Sequence, residues 1–94
     1  MTAVVLMPHG EGGSFLATSV NLSESGMLLS ADKGVEKGQR FEFMAGRFAG
    51  DCQVMWCHAT EAQDSIFGIV FTSLGPRARE EIGKLLAEEN PPDE

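Results

Sequence analysis

Through its first 74 residues the chain alternates short apolar runs with dense turn chemistry and shows no helical period. In Arg40-Phe41-Glu42-Phe43-Met44 the two phenylalanines share one side of an extended segment while Arg40 and Glu42 take the other, the period-two signature of a half-buried strand. Gln53-Val54-Met55-Trp56-Cys57 reads similarly, and Phe67, Ile69 and Phe71 share one face of Ile66-Phe67-Gly68-Ile69-Val70-Phe71, so these two segments form a hairpin across the polar residues 58–65. Earlier, the apolar residues 2–7 and the run 14–20 flank Pro8-His9-Gly10-Glu11-Gly12-Gly13, which supplies the turn of another hairpin. Met27-Leu28-Leu29-Ser30 stands between two further breaks, the second carrying Gly34 and Gly38.

Beyond Leu74 the pattern changes. Gly75-Pro76 suits a helix entrance, with proline in the first turn, and Ala78, Ile82, Leu85 and Leu86 fall at helical spacing. About six short strands followed by one amphipathic helix imply a mainly β fold, a six-stranded antiparallel barrel with a C-terminal α-helix over an open end or flank. Closure removes the edges that a flat sheet of this size would expose. The expected core comprises Phe41, Phe43, Val54, Phe67, Ile69 and Phe71, with Ile82, Leu85 and Leu86 packing from the helix.

A chain of 94 residues has room for one domain, here taken as residues 1–88, with residues 89–94 as a disordered acidic tail that offers nothing apolar to bury. No run approaches the roughly 18 apolar residues of a membrane span, and residues 2–7 lack the basic flank of a signal peptide, so the protein is expected in the cytoplasm. Two cysteines do not make a disulfide framework, and reduced thiols are the expectation. The net charge of −7 is acidic in the body of the chain as well as in the helix and tail. That sign disfavours nucleic acid and anionic membranes as partners and leaves proteins or small ligands.

Asn21-x-Ser23-x-x-Gly26, between two strands, has two readings. The structural one is turn-making, with short polar side chains bonding nearby backbone and Gly26 at positive φ. The functional one is that the same groups meet the polar edge of a ligand. Trp56 likewise reads first as a packing residue and second as a stacking platform.

Other constellations carry less. Five residues apart on a regular strand, Cys52 and Cys57 face opposite ways, and His58 again opposes Cys57, so they do not converge on a metal without a bulge. His9 is a solvated turn residue, and Gly10-Glu11-Gly12-Gly13 precedes no helix that would aim amides at a phosphate. Serines, Asp32 and two histidines are present without a nucleophile elbow. No catalytic residue, metal ligand or cofactor is assigned, and no enzymatic activity is expected.

Asn21-Leu22-Ser23-Glu24-Ser25-Gly26, then Val54-x-Trp56, then Gly68-Ile69-Val70-Phe71 and a closing helix together resemble the PilZ family over roughly residues 14–88. The resemblance implies a six-stranded barrel that in many relatives receives the bacterial second messenger cyclic di-GMP, and it points to Asn21, Ser23, Gly26 and Trp56 as ligand-binding residues. Receptors of that family carry an Arg-x-x-x-Arg motif just before the first strand, whereas here the first strand is read from Thr2 and the first arginine is Arg40. Guanidinium forks pair bidentately with phosphate and with the O6/N7 edge of guanine. Asn21 also offers one carbonyl acceptor where aspartate offers two anionic oxygens. The function expected is a bacterial signalling adaptor that works through a protein partner, as in motility or type IV pilus assembly, with weak or no cyclic di-GMP binding alone. The alternative is a receptor whose arginines come from elsewhere.

Overall fold

The computed structural model describes residues 2–10, 12–46, 48–59 and 64–89. Six antiparallel strands, β1 (Thr2–Pro8), β2 (Phe15–Leu22), β3 (Gly26–Ala31), β4 (Arg40–Ala45), β5 (Phe48–Ala59) and β6 (Ser65–Leu74), precede one helix, α1 (Pro76–Glu89). The strands close into a barrel in the order β1-β2-β3-β6-β5-β4, with β4 pairing back onto β1. The mainly β barrel with a C-terminal helix is thus as the alternation requires. The expected tail falls, beyond Glu89, outside the described residues.

Inward positions alternate as the sequence implies. In β4 Phe41, Phe43 and Ala45 are buried while Arg40, Glu42 and Met44 are exposed. Phe41, Phe43 and Phe67 are wholly buried, joined by Val4, Leu6, Leu29, Val54 and Cys52. The ring of Phe43 stacks on Phe71 at 5.3 Å and meets Phe48 edge-on at 5.9 Å. Such pairs add about 0.5–1.5 kcal/mol to area burial. Phe48 belongs to a strand that begins five residues earlier than the alternation around Val54 indicates, after a β4–β5 turn in which Gly46 takes φ +60°.

The helix starts at Pro76, where a missing N–H costs nothing, and Gly75 accepts the first bond, from Arg79 N–H at 3.1 Å. It packs on the flank formed by β5 and β6. Ala78 and Ile82 join the core and Leu86 packs against it, but Leu85 is exposed, contrary to expectation. Residues 78, 82 and 86 form a narrow i, i+4 stripe, and Leu85 lies at its solvent edge.

Candidate functional site

Two bulges build the site. In β2 the pairing with β3 passes from Ser19↔Leu29 to Asn21↔Leu28, so Val20 is the extra residue. In β5 the pairing with β6 passes from Val54↔Ile69 to Trp56↔Gly68, and Met55 is the extra residue. A regular continuation from buried Ala17 would turn Asn21 inward, and one from buried Val54 would turn Trp56 inward. An inserted residue reverses the face of everything beyond it. Asn21 and Trp56 therefore both point outward, and the register joins Asn21, Leu28, Gly68 and Trp56 into one cross-strand row over β2, β3, β6 and β5.

This overturns the core packing expected of Trp56, which is 44% exposed, next to Met55 at 51%. The same bulge corrects the expectation for the cysteines. Cys57 turns to the core side, half-buried against it, as Cys52 is fully buried. Burial pushes the Cys52 thiol up to about 12, helped by the charge of Asp51 and opposed by a backbone hydrogen bond from Phe41. Among the described residues no three His, Cys, Asp or Glu side chains come together. His9 is exposed as expected, but its Nε2 lies 3.1 Å from Oδ1 of Asp51 and ties the end of β1 to β5.

The row floors an open groove of about 400 Å³ between the β2–β3 turn and the Met55 bulge. Asn21, Ser23, Gly26 and Trp56 all line it, so the structure brings together every residue singled out from the sequence. Leu28, Met55, Gly68 and Val70 line it too. Gly68 is readable beforehand as the outward partner between inward Phe67 and Ile69, and Met55 as the outward neighbour of inward Val54, whereas only the bulge puts Trp56 on the same face as Met55.

Ser23 closes the turn. Its N–H donates to the Gly26 carbonyl at 2.9 Å, its hydroxyl donates to the same carbonyl at 3.2 Å, and the Gly26 N–H donates to Ser23 Oγ at 3.2 Å. The Ser25 carbonyl accepts from Phe71 N–H at 2.8 Å, which fastens the turn to β6. Gly26 is not at positive φ, contrary to expectation. Glycine is required there because a Cβ would run into the Ile69 carbonyl of the neighbouring strand. Asn21 Oδ1 accepts from the Leu22 N–H at 2.9 Å, and its carboxamide remains exposed at the groove.

Across the groove the indole of Trp56 lies on Gly68. It is held edge-on to the imidazole of His58, with centroids 6.2 Å apart. No Lys, Arg, Asp or Glu among the described residues lines this groove. Its chemistry is that of an aromatic plane, a carboxamide and hydroxyls beside exposed thioether and aliphatic groups, suited to a flat polar-edged group or to a protein side chain rather than to a strong anion.

No helix among the described residues is long and apolar enough to cross a membrane. Among curated proteins the chain has no match. A family model, that of the PilZ domain, matches residues 2–88, the stretch that holds the six strands, the turn and the groove, and the chain belongs to the PilZ domain family.

Proposed function

We propose that the chain is a bacterial signalling adaptor that acts through contacts with a partner protein and has little or no affinity for cyclic di-GMP on its own. PilZ domains are binding and signalling modules of the cyclic di-GMP receptor family rather than enzymes. Within that family the reading rests on the lining of the groove. Cyclic di-GMP carries two phosphate charges, and among the described residues the groove offers it no lysine or arginine, in a chain whose net charge is −7. What the groove does present is Met55 and Trp56 side by side in solvent, residue types that anchor protein interfaces. The setting is the bacterial cytoplasm, and regulation of motility or of type IV pilus assembly is the process proposed, from the family resemblance.

Calorimetry of the chain with cyclic di-GMP tests this. No saturable heat at micromolar ligand is expected, and a saturating one-site isotherm in that range would reject the adaptor in favour of a receptor. The receptor reading, with arginines supplied by a partner, another subunit or a further segment, is supported by the placement of Asn21, Ser23, Gly26 and Trp56 on one groove.

A further inference from the structure

Along Ala3-Val4-Val5-Leu6-Met7 of β1 the buried Val4 and Leu6 point into the barrel, so Ala3, Val5 and Met7 point out. A strand apolar on both faces is the pattern of one covered on both, yet the helix lies on β5 and β6 instead. The register widens this bare face. Val5 pairs with Leu16 of β2 and with Met44 of β4, and Met44 pairs with Ala49 of β5, so Leu16, Val5, Met44 and Ala49 form one outward row across four strands. Leu16 is 63% and Met44 51% exposed. In the closed strand order β1 and β4 stand opposite β6 and β3, which places this row on the far side of the barrel from Trp56. Single exposed apolar residues are ordinary, whereas a contiguous set marks a contact surface.

Acids stand beside both Leu16 and Met44. Asp32 and Asp64 share a cavity of about 480 Å³ with Leu16, Thr18 and Ser30, and Glu42 lies next to Met44 along the outside of β4 and pairs with Met7. Among the described residues none of these three carboxylates has an ion-pair partner. The nearby cations are otherwise placed: His9 is held by Asp51 at 3.1 Å, the Lys33 ammonium sits over the Phe15 ring at 5.0 Å, and Arg40 lies beyond Glu42 on the side away from Met44.

We propose that this face docks a basic amphipathic helix of a partner protein, with the helix's apolar stripe along Leu16, Val5 and Met44 and a lysine or arginine reaching over Leu16 to Asp32 and Asp64. The spacing suits a helix that crosses the strands. Neighbouring strands are about 4.8 Å apart and a helix rises about 5.4 Å per turn, so side chains one turn apart meet successive strands. The thioethers of Met7 and Met44 adapt to whatever apolar shape lies on them. The aliphatic stem of a lysine or arginine covers Leu16 while its charge meets the carboxylates. A second copy of the chain is a poor occupant, because its net charge is also −7 and a symmetric contact brings like rims together. The face is separate from the Trp56 groove, and whether cyclic di-GMP binds that groove has no bearing on it.

The test is an NMR titration of the isotopically labelled chain with two synthetic peptides of the same amphipathic helical pattern, one leucine–lysine and one leucine–glutamate, alongside sedimentation velocity of the chain alone. The lysine peptide is expected to bind and to shift the amides of Val5, Leu16 and Met44, and the glutamate peptide is expected not to bind. Leu16→Lys and Met44→Lys should each weaken binding of the lysine peptide by about tenfold. Leu85→Lys, the same change on α1, should leave it unaltered, and Asp32→Asn combined with Asp64→Asn should weaken it by about fivefold. Leu16, Met44 and Leu85 are exposed, circular dichroism verifies that the variants fold, and Leu16→Lys alone suffices if Met44→Lys does not. The docking face is overturned by any of five results: no binding of the lysine peptide, equal binding of both peptides, shifts confined to the Trp56 groove, a loss in Leu85→Lys as large as in Leu16→Lys, or undiminished binding in the double asparagine variant. Self-association of the native chain that Leu16→Lys abolishes would overturn it too, by giving the face to a second copy.

Discussion

The indole of Trp56 rests on the backbone of Gly68, its partner across β5 and β6, so closely that a Cβ on Gly68 would stand 2.7 Å from Cε2 and 3.1 Å from Cδ1 of the ring. The absence of a side chain at residue 68 is what lets a tryptophan lie flat along the outside of the barrel. Gly68→Ala should lift the ring. Because the indole is the far end of a side chain that can rotate away, the cost in stability is modest, about 1 kcal/mol. Trp56 is the single tryptophan of the chain, so its fluorescence reports the change alone. A red-shifted emission and easier quenching by acrylamide are expected, and an unchanged spectrum would mean that the ring is not seated on Gly68.

Gly26 differs in kind. There the obstacle is the Ile69 carbonyl, part of a strand paired on both sides, and it has no rotamer by which to yield. Gly26→Ala should separate β3 from β6 at the mouth of the groove and cost about 3 kcal/mol or more, a large share of the stability of a domain this size. Urea denaturation measures it. A loss comparable with that of Gly68→Ala would remove close backbone approach as the reason for glycine at this position.

These two glycines mark how far the site was legible in the sequence. Period-two alternation located Phe41, Phe43, Phe67 and Ile69 in the core, and Gly75-Pro76 located the helix start, because burial on one face and a missing N–H leave local traces. Bulges leave none. Val20 and Met55 look like ordinary strand residues, yet each reverses the face of the residues beyond it, and so Trp56 lies outside and Cys57 inside against a reading that assumed regular strands. Likewise Gly26 was legible as an obligatory glycine, but the cause lies in Ile69, 43 positions away, where no turn rule looks. The four residues singled out nonetheless share a groove, since the bulges re-aim Asn21 and Trp56 toward the turn that Ser23 closes.

Cys52 gives the chain a pH dependence of definite sign. Its folded thiol ionises only near 12 against an ordinary value of 9.0, so between those limits the unfolded chain has lost a proton that the native chain keeps. Stability is therefore undiminished by this group below pH 9 and falls as pH rises above it, by about 1.4 kcal/mol per unit until the folded thiol itself ionises. Urea midpoints measured between pH 8 and about 10.5 should decline, and Cys52→Ala should flatten the decline while lowering stability throughout. An equally steep decline in the variant would assign the effect to other groups. Native alkylation should likewise spare Cys52 until the barrel opens.

The last prediction concerns cyclic di-GMP and the cations its phosphates require. Asn21 Oδ1 already accepts the Leu22 N–H, so aspartate at this position could keep that bond with one oxygen and turn the second, now charged, toward the N1 and N2 donors of guanine. A chain carrying an Arg-x-x-x-Arg segment ahead of Thr2 together with Asn21→Asp should therefore gain affinity. The residues that would meet the base and the turn, Trp56, Ser23 and Gly26, are already placed on one groove. Charge-assisted hydrogen bonds are worth about 1.5–3 kcal/mol each and about 1.4 kcal/mol is tenfold, so two guanidinium forks should improve binding by at least about a hundredfold. Calorimetry should then show a saturable isotherm with the altered chain and none with the native one at the same micromolar concentrations. If the arginine-bearing chain stays silent, charge was not what the groove lacked. Its shape, set by the bulges at Val20 and Met55 and by the indole on Gly68, would then be at odds with the ligand, leaving Asn21-x-Ser23-x-x-Gly26 as a turn that serves the barrel alone.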